Sequence, residues 1–179
     1  MVPYSTKRAW KQDYKTTTPS KTRYRVRKEI EKIVKNKEGV TTSFLQQSLK
    51  HLPNFIGVFS IDQLFHLQLD EYACLIVNLD FSTQPGSHWV AIKFTPRKCF
   101  IIDSLGGALY SRELSHFIAT HAHVRQIIRT PLLQEPTSNL CGFYCLFFLL
   151  YLQFTSFSSL CRLFSSNLSV NDNKLLDFF

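Results

Sequence analysis

Residues 134–150, QEPTSNLCGFYCLFFLL, set a polar, turn-prone segment directly against a run of apolar residues, with Cys141 at the seam. From Leu140 to Phe154 nearly every side of a helix would be apolar, which places that helix in the centre of a core. Ser138 and Asn139, just upstream, are residue types that start helices. Cys141 is then one of two things: the first buried residue of a core helix, or a thiol at a helix N-terminus, where the backbone dipole and a nearby histidine favour thiolate. Cys145 lies one turn deeper on the same face, where burial is expected to keep it neutral.

Working outward, YACLIVNLD (72–80) is a continuous, partly β-branched apolar run that suits a buried strand. STQPGS (82–87) breaks the chain as a loop. HWVAIKFTPRKCFIID (88–103) reads as a β-hairpin with its turn centred near Thr95 and Pro96. SRELSHFIATHAH (111–123) has helical character and VRQIIRTPLL (124–133) strand character. Upstream, TTSFLQQSLKHL (41–52) predicts a short helix with Thr41, Thr42 or Ser43 as N-cap and Pro53 past its end. From Lys21 to Glu38 an apolar stripe of Val26, Ile30, Ile33 and Val34 predicts another helix, stopped by Gly39. Residues 1–20 are expected to be flexible, and residues 157–179 to hold a last helix.

The 179 residues, 45% of them hydrophobic, suffice for one domain with a substantial core. Charge is unevenly placed. Residues 1–38 carry twelve Lys or Arg against four acidic residues, an excess equal to the whole chain's net charge of +8. Residues 39–179 are therefore neutral overall. The chain divides into a basic N-terminal extension, 1–38, and a folded domain, 39–179. Lys21, Arg23, Arg25, Arg27 and Lys28 are the candidate nucleic-acid contacts, since such a cluster gains affinity for polyanions by counterion release. A solvated tail is the plainer reading.

Lys7, Arg8 and Lys11 are not followed by an apolar stretch, so no secretory leader is expected. The longest strongly apolar run, Leu140–Leu152, is too short to span a bilayer. The five cysteines are odd in number and lack CxxC spacing, which argues against a disulfide framework and against zinc. His121 and His123 have no Cys, Asp or Glu nearby in sequence, so no metal site is expected. Reduced thiols in a soluble monomer follow.

Three residues complete the chemistry that Cys141 would need. His88 opens the first hairpin strand and Asp103 closes the second, so the turn brings them across from each other on one face. A carboxylate there holds the imidazole in the orientation a general base requires. Gln134, on a loop stiffened by Pro136, is placed to donate with the Cys141 backbone N–H to the oxyanion of a tetrahedral intermediate. Trp89 is a core aromatic or a wall of the cleft.

In the order His, Asp, Gln, Cys, the segments GSHWVAIKF, IIDSLGG and QEPTSNLCGFYC resemble the adenovirus-type cysteine proteases (adenain) and, more distantly, the Ulp/sentrin-type proteases of ubiquitin-like proteins. NFIGVFSIDQL (54–64) is similarly placed. The resemblance covers residues 41–155 and leaves the basic extension outside. It implies an α+β fold, a central mixed β-sheet with flanking helices and the nucleophile at the N-terminus of a buried central helix. It also implies Cys141 as nucleophile, His88 as general base, Asp103 as the acidic member, and Gln134 in the oxyanion hole. Adenovirus enzymes usually carry Glu as the third member, so Asp103 is nearer the Ulp/sentrin habit. The implied activity is an endopeptidase processing viral capsid or core precursor polypeptides, in the host nucleus and the virion. A deconjugating protease and a non-catalytic basic nucleic-acid-binding protein are the alternatives. No cofactor is required by the chemistry. Because no cysteine lies between Cys99 and Cys141, a disulfide-linked activator is not expected, which leaves DNA or a noncovalent peptide in that role.

Overall fold

A period-two alternation of apolar residues to both faces of one sheet organises the molecule. The computed structural model describes residues 24, 26–29, 31, 32, 39–107, 111–121 and 126–179. In chain order come α1 (Thr42–Leu49), β1 (Phe55–Ser60), a 3-10 helix (Ile61–His66), β2 (Ala73–Asn78), β3 (Trp89–Phe94) and β4 (Lys98–Ile102). They are followed by α2 (Arg112–His121), β5 (Gln126–Arg129), α3 (Cys141–Tyr151), α4 (Phe157–Cys161) and α5 (Leu168–Leu176). The five strands lie in sequence order, and only β3 runs against the others. The fold is α+β, with a central mixed sheet and helices on both faces.

Cys74 and Ile76 of β2, Trp89 and Ala91 of β3, and Ile102 of β4 face a core shared with α1, α3, α4 and α5. Their neighbours Leu75, Val77, Val90, Ile92 and Ile101 face a second core, closed by Leu114, Phe117 and Ile118 of α2 and by Ile61 and Leu64. Helix α3 lies in the first core and buries every residue except Leu150. The all-round apolar composition thus has its expected consequence over Cys141–Tyr151, but the helix stops short of Phe154, which is exposed. Val26, from the basic segment, is 1% exposed and belongs to the same core.

Thr41 caps α1, its Oγ1 accepting from the Phe44 N–H at 3.3 Å. The hairpin turn sits one residue later than the composition indicates. Thr95 and Lys98 exchange both backbone hydrogen bonds, so the two turn residues are Pro96 and Arg97. Strand β1 is the element that residue types alone do not announce. Gly57 has φ +146° within it, and the register shifts between Phe55 and Gly57, so the regular alternation is broken by a bulge.

Because β1, β2, β4 and β5 are parallel and β3 opposes them, one rim of the sheet gathers four strand ends and one strand start. Ser60, Asn78, Asp103 and Thr130 end or follow β1, β2, β4 and β5, and His88 precedes β3. On that rim the buried polar residues Asn78, His88, Asp103 and Thr130 collect.

Candidate active site

A cleft of about 670 Å³ opens on this rim, and His88, Trp89, Gln134, Ser138 and Cys141 are among the residues that line it. The rim therefore brings together four residues expected to act as a unit, with Asp103 directly behind the histidine. His88 and Asp103 are 9% and 4% exposed, and His88 Nε2 lies 2.7 Å from Asp103 Oδ1. The Leu105 backbone N–H donates to that same oxygen at 3.0 Å.

The pair is not directly opposed across the hairpin. Ala91 pairs with Ile102, and continuing that register sets His88 opposite Leu105, two positions beyond Asp103. A turn centre one residue later shifts opposition by two, and a shift of two preserves the face. Diagonal neighbours remain within reach of long side chains, which is how the contact forms.

With Nε2 committed to the carboxylate, that nitrogen carries the proton and Nδ1 is the atom free to exchange one. Nδ1 is buried and makes no geometric hydrogen bond. The Cys141 thiol, which lines the same cleft, is the second group that acts on the ring. Burial pulls the His88 pKa down, but the hydrogen bond to Asp103, the influence of Cys141 and the charges of both outweigh it and raise the pKa to about 9. A histidine so held is protonated at neutral pH, which suits delivery of a proton to a leaving group.

Cys141 is the first residue of α3. Neither Ser138 nor Asn139 caps this helix, contrary to what the residue types indicate: the N-cap is Leu140, and no side chain caps it. The Phe143 and Tyr144 N–H groups already donate to Leu140 O, at 2.9 and 3.1 Å, so the Cys141 and Gly142 amides are those that the helix N-terminus offers to an anion. Gly142 permits this placement. A Cβ at residue 142 would collide with Val40 and sit 3.2 Å from Trp89 Cδ1. Trp89 in turn donates from Nε1 to the Val40 carbonyl at 3.1 Å, so it is both a core aromatic and part of the cleft wall.

Cys145 is a different kind of thiol. Its Sγ donates to the Trp89 carbonyl at 3.4 Å, and burial first, then the charges of Cys141 and Asp103, push its pKa well up. Cys99 and Cys74 are likewise pushed up by burial, to about 12 and about 11. All five cysteines are free.

Gln134 is 1% exposed, and both ends of its amide are held. Oε1 accepts from Ser104 Oγ at 2.7 Å, and Nε2 donates to the Ser138 carbonyl at 2.6 Å. One Nε2 proton remains. Its backbone is fixed from the same side, since the Leu133 and Gln134 N–H groups both donate to Ser104 O, at 2.8 and 3.0 Å.

Three supporting residues carry no sequence signal. Ser104 is one. Thr130 brackets the main chain of Asp103, its Oγ1 accepting from the Asp103 N–H at 3.0 Å and donating to Asp103 O at 2.7 Å. Asn171 of α5, fully buried, donates to Leu133 O at 3.0 Å and so ties the loop carrying Gln134 to the last helix. Each acts across 27 to 38 residues of chain, a separation no local pattern encodes.

Lys21, Arg23 and Arg25 lie outside the described residues, as does His123. Arg27 is exposed and pairs with Glu31 at 3.3 Å, and Lys28 lies 5.5 Å from the Tyr24 ring centroid. Both ring nitrogens of His121 sit 3.0 Å from backbone carbonyls, of Phe117 and Leu67. Among the described residues no helix is long and apolar enough to cross a membrane.

No protein-family model matches the chain. Among solved structures it is similar to the ASFV pS273R protease, at 16% identity and a TM-score of 0.46, over 78% of this chain and 66% of that one. It is similar also to the SUMO protease Ulp1 with its catalytic cysteine oxidised to a sulfinic acid, at 13% identity and a TM-score of 0.42, over 81% and 82% of the two chains. A third is AvrA with IP6 and CoA, at 18% identity and a TM-score of 0.46, over 84% and 66%. The chain thus spans just under two thirds of the ASFV and AvrA chains.

Proposed function

We propose that the protein is a cysteine endopeptidase using Cys141, His88, Asp103 and Gln134. The observation that carries this reading is the convergence on one cleft of a helix-opening thiol, a carboxylate-held imidazole and a clamped amide, from three separate stretches of chain. With the proton already held on His88 Nδ1, the Cys141 sulfur attacks the scissile carbonyl carbon as thiolate. The charge that develops on oxygen is met by the Cys141 N–H and the remaining Gln134 Nε2–H. As the intermediate collapses the C–N bond breaks, and the leaving amine takes the proton from His88. Water, deprotonated by His88, then attacks the thioester, the C–S bond breaks, and the sulfur leaves as thiolate beside the reprotonated His88. Asp103 keeps Nε2 protonated and its charge steadies the imidazolium throughout.

The motif order shared with adenain-type enzymes supports viral precursor polypeptides as the substrates, hence action in the infected nucleus and the virion. The +8 segment supports tethering to DNA or stimulation by it. The test is co-expression with a candidate precursor and, separately, with diglycine-linked conjugates of a ubiquitin-like modifier. Cleavage of the precursor, abolished by Cys141→Ala and reduced at least ~10²-fold by His88→Ala, is the expected result. Cleavage of the conjugates alone replaces it with the deconjugating activity. A thiol-directed probe that labels Cys99 or Cys145 in preference to Cys141, or labels no cysteine, overturns the catalytic reading altogether.

A further inference from the structure

Ser104 follows the acidic residue Asp103 directly, and its two oxygens hold the segment that carries Gln134. We propose that Ser104 is a positioning residue for the oxyanion site, acting by fixing the plane of the Gln134 amide; the inference rests on Gln134 being an oxyanion donor.

A primary amide is nearly symmetric in shape and opposite in polarity at its two ends. Rotated half a turn, Gln134 would aim lone pairs where a donor is needed. The Ser138 carbonyl can only accept, so it draws Nε2 and excludes the reversed amide. That single contact leaves the side chain free to swing about the bond to Ser138. The second point of support is Ser104 Oγ, 2.7 Å from Oε1. Two supports at opposite ends define a plane, and the unused Nε2 proton then has one direction. Both Ser104 and Gln134 are 1% exposed, so water cannot replace the hydroxyl. Removing it leaves Oε1 buried without a donor, a state that the side chain escapes by turning.

The same dipeptide thereby orients both halves of the chemistry. The Asp103 carboxylate aims the imidazole, and the adjacent Ser104 aims the amide. Thr130 holds the main chain from which both project. Positioning errors of this kind cost rate without costing reagent access.

Two small reagents separate the role from simple core filling. Iodoacetamide alkylates a thiolate by displacement and develops no oxyanion; p-nitrophenyl acetate acylates it through a tetrahedral oxyanion. For Ser104→Ala the expected result is acylation slowed by about tenfold, a fraction of the ~10²-fold or more lost with a whole donor, while alkylation of Cys141 stays within about twofold of wild type. Ser104→Thr, which keeps the hydroxyl, retains acylation to within about threefold. In a Gln134→Ala background Ser104→Ala has no further effect, because the group it positions is gone.

Equal losses in the two reactions, or unchanged acylation in Ser104→Ala, overturn the proposal, as do additive effects of the two substitutions. If Ser104→Ala does not fold, Ser104→Cys, similar in size and a weaker donor, is read by acylation alone: slowing supports the proposal and wild-type rate overturns it. Should Gln134→Ala acylate at the wild-type rate, the role of Gln134 itself falls. Slow acylation in Gln134→Ala beside normal acylation in Ser104→Ala removes only the role of Ser104.

Discussion

At the scale of single residues the decisive balance is at His88. Burial disfavours the imidazolium, and Asp103 and Cys141 more than restore it, so the folded protein holds this proton to about pH 9 against an ordinary 6.5. A folded pKa above the unfolded one means that the stabilisation is complete below about pH 6.5 and is lost as pH rises through about 9. The thermal midpoint is expected to fall across that window, and acylation to show an alkaline limb near 9. Asp103→Asn keeps the burial and removes the charge, so its limb moves to lower pH and its stability becomes flatter with pH; a limb that stays in place assigns it to another group. His88, Asp103, Gln134 and Cys141 were legible as candidates through the motifs and the order that join them, since each alone has an ordinary structural reading. Ser104, Thr130 and Asn171 were not, because a serine, threonine or asparagine is ordinary in sequence and becomes informative only through a partner at the far end of the chain.

At the scale of elements, α3 illustrates how a helix start is kept available for chemistry. Its entry residue is an uncapped leucine, and a cap here would cost the site its donors while adding roughly 1 kcal/mol of stability. Its second residue, Gly142, lets the first turn press against Val40 and Trp89. Gly142→Ala is expected to lower stability by about 1–3 kcal/mol in denaturant melts and to slow acylation, by forcing the helix away from the cleft wall. Because the collision is with the Val40 side chain, Val40→Ala added to it should recover part of both; no recovery would place the strain elsewhere. The hairpin and the central helix could be read from composition because period-two and all-apolar patterns are local. The hairpin's centre could not be fixed to the residue, since Thr95, Pro96 and Arg97 are all acceptable in a turn, and β1 was hidden by its bulge at Gly57.

At the scale of the whole molecule, charge and chemistry are separated along the sequence but not cleanly in space. Val26 is buried in the core while its neighbours Arg27 and Lys28 are exposed. The DNA proposal is therefore tested by substitution, not truncation. Changing Lys21, Arg23, Arg25, Arg27 and Lys28 to Gln keeps Val26 in place. For every phosphate that these cations neutralise, the substitution should make the salt slope of duplex binding shallower by about 0.9 between roughly 50 and 200 mM salt, with the melting temperature unchanged; an unaltered slope assigns DNA affinity to another surface. The parallel-dominated sheet has a practical corollary. All the proposed reacting groups sit at one rim, and the Pro96–Arg97 tip projects from the other, a strand length of roughly 20 Å away. An affinity handle spliced at that tip would anchor the protein to a solid support with its mouth turned outward to incoming polypeptide.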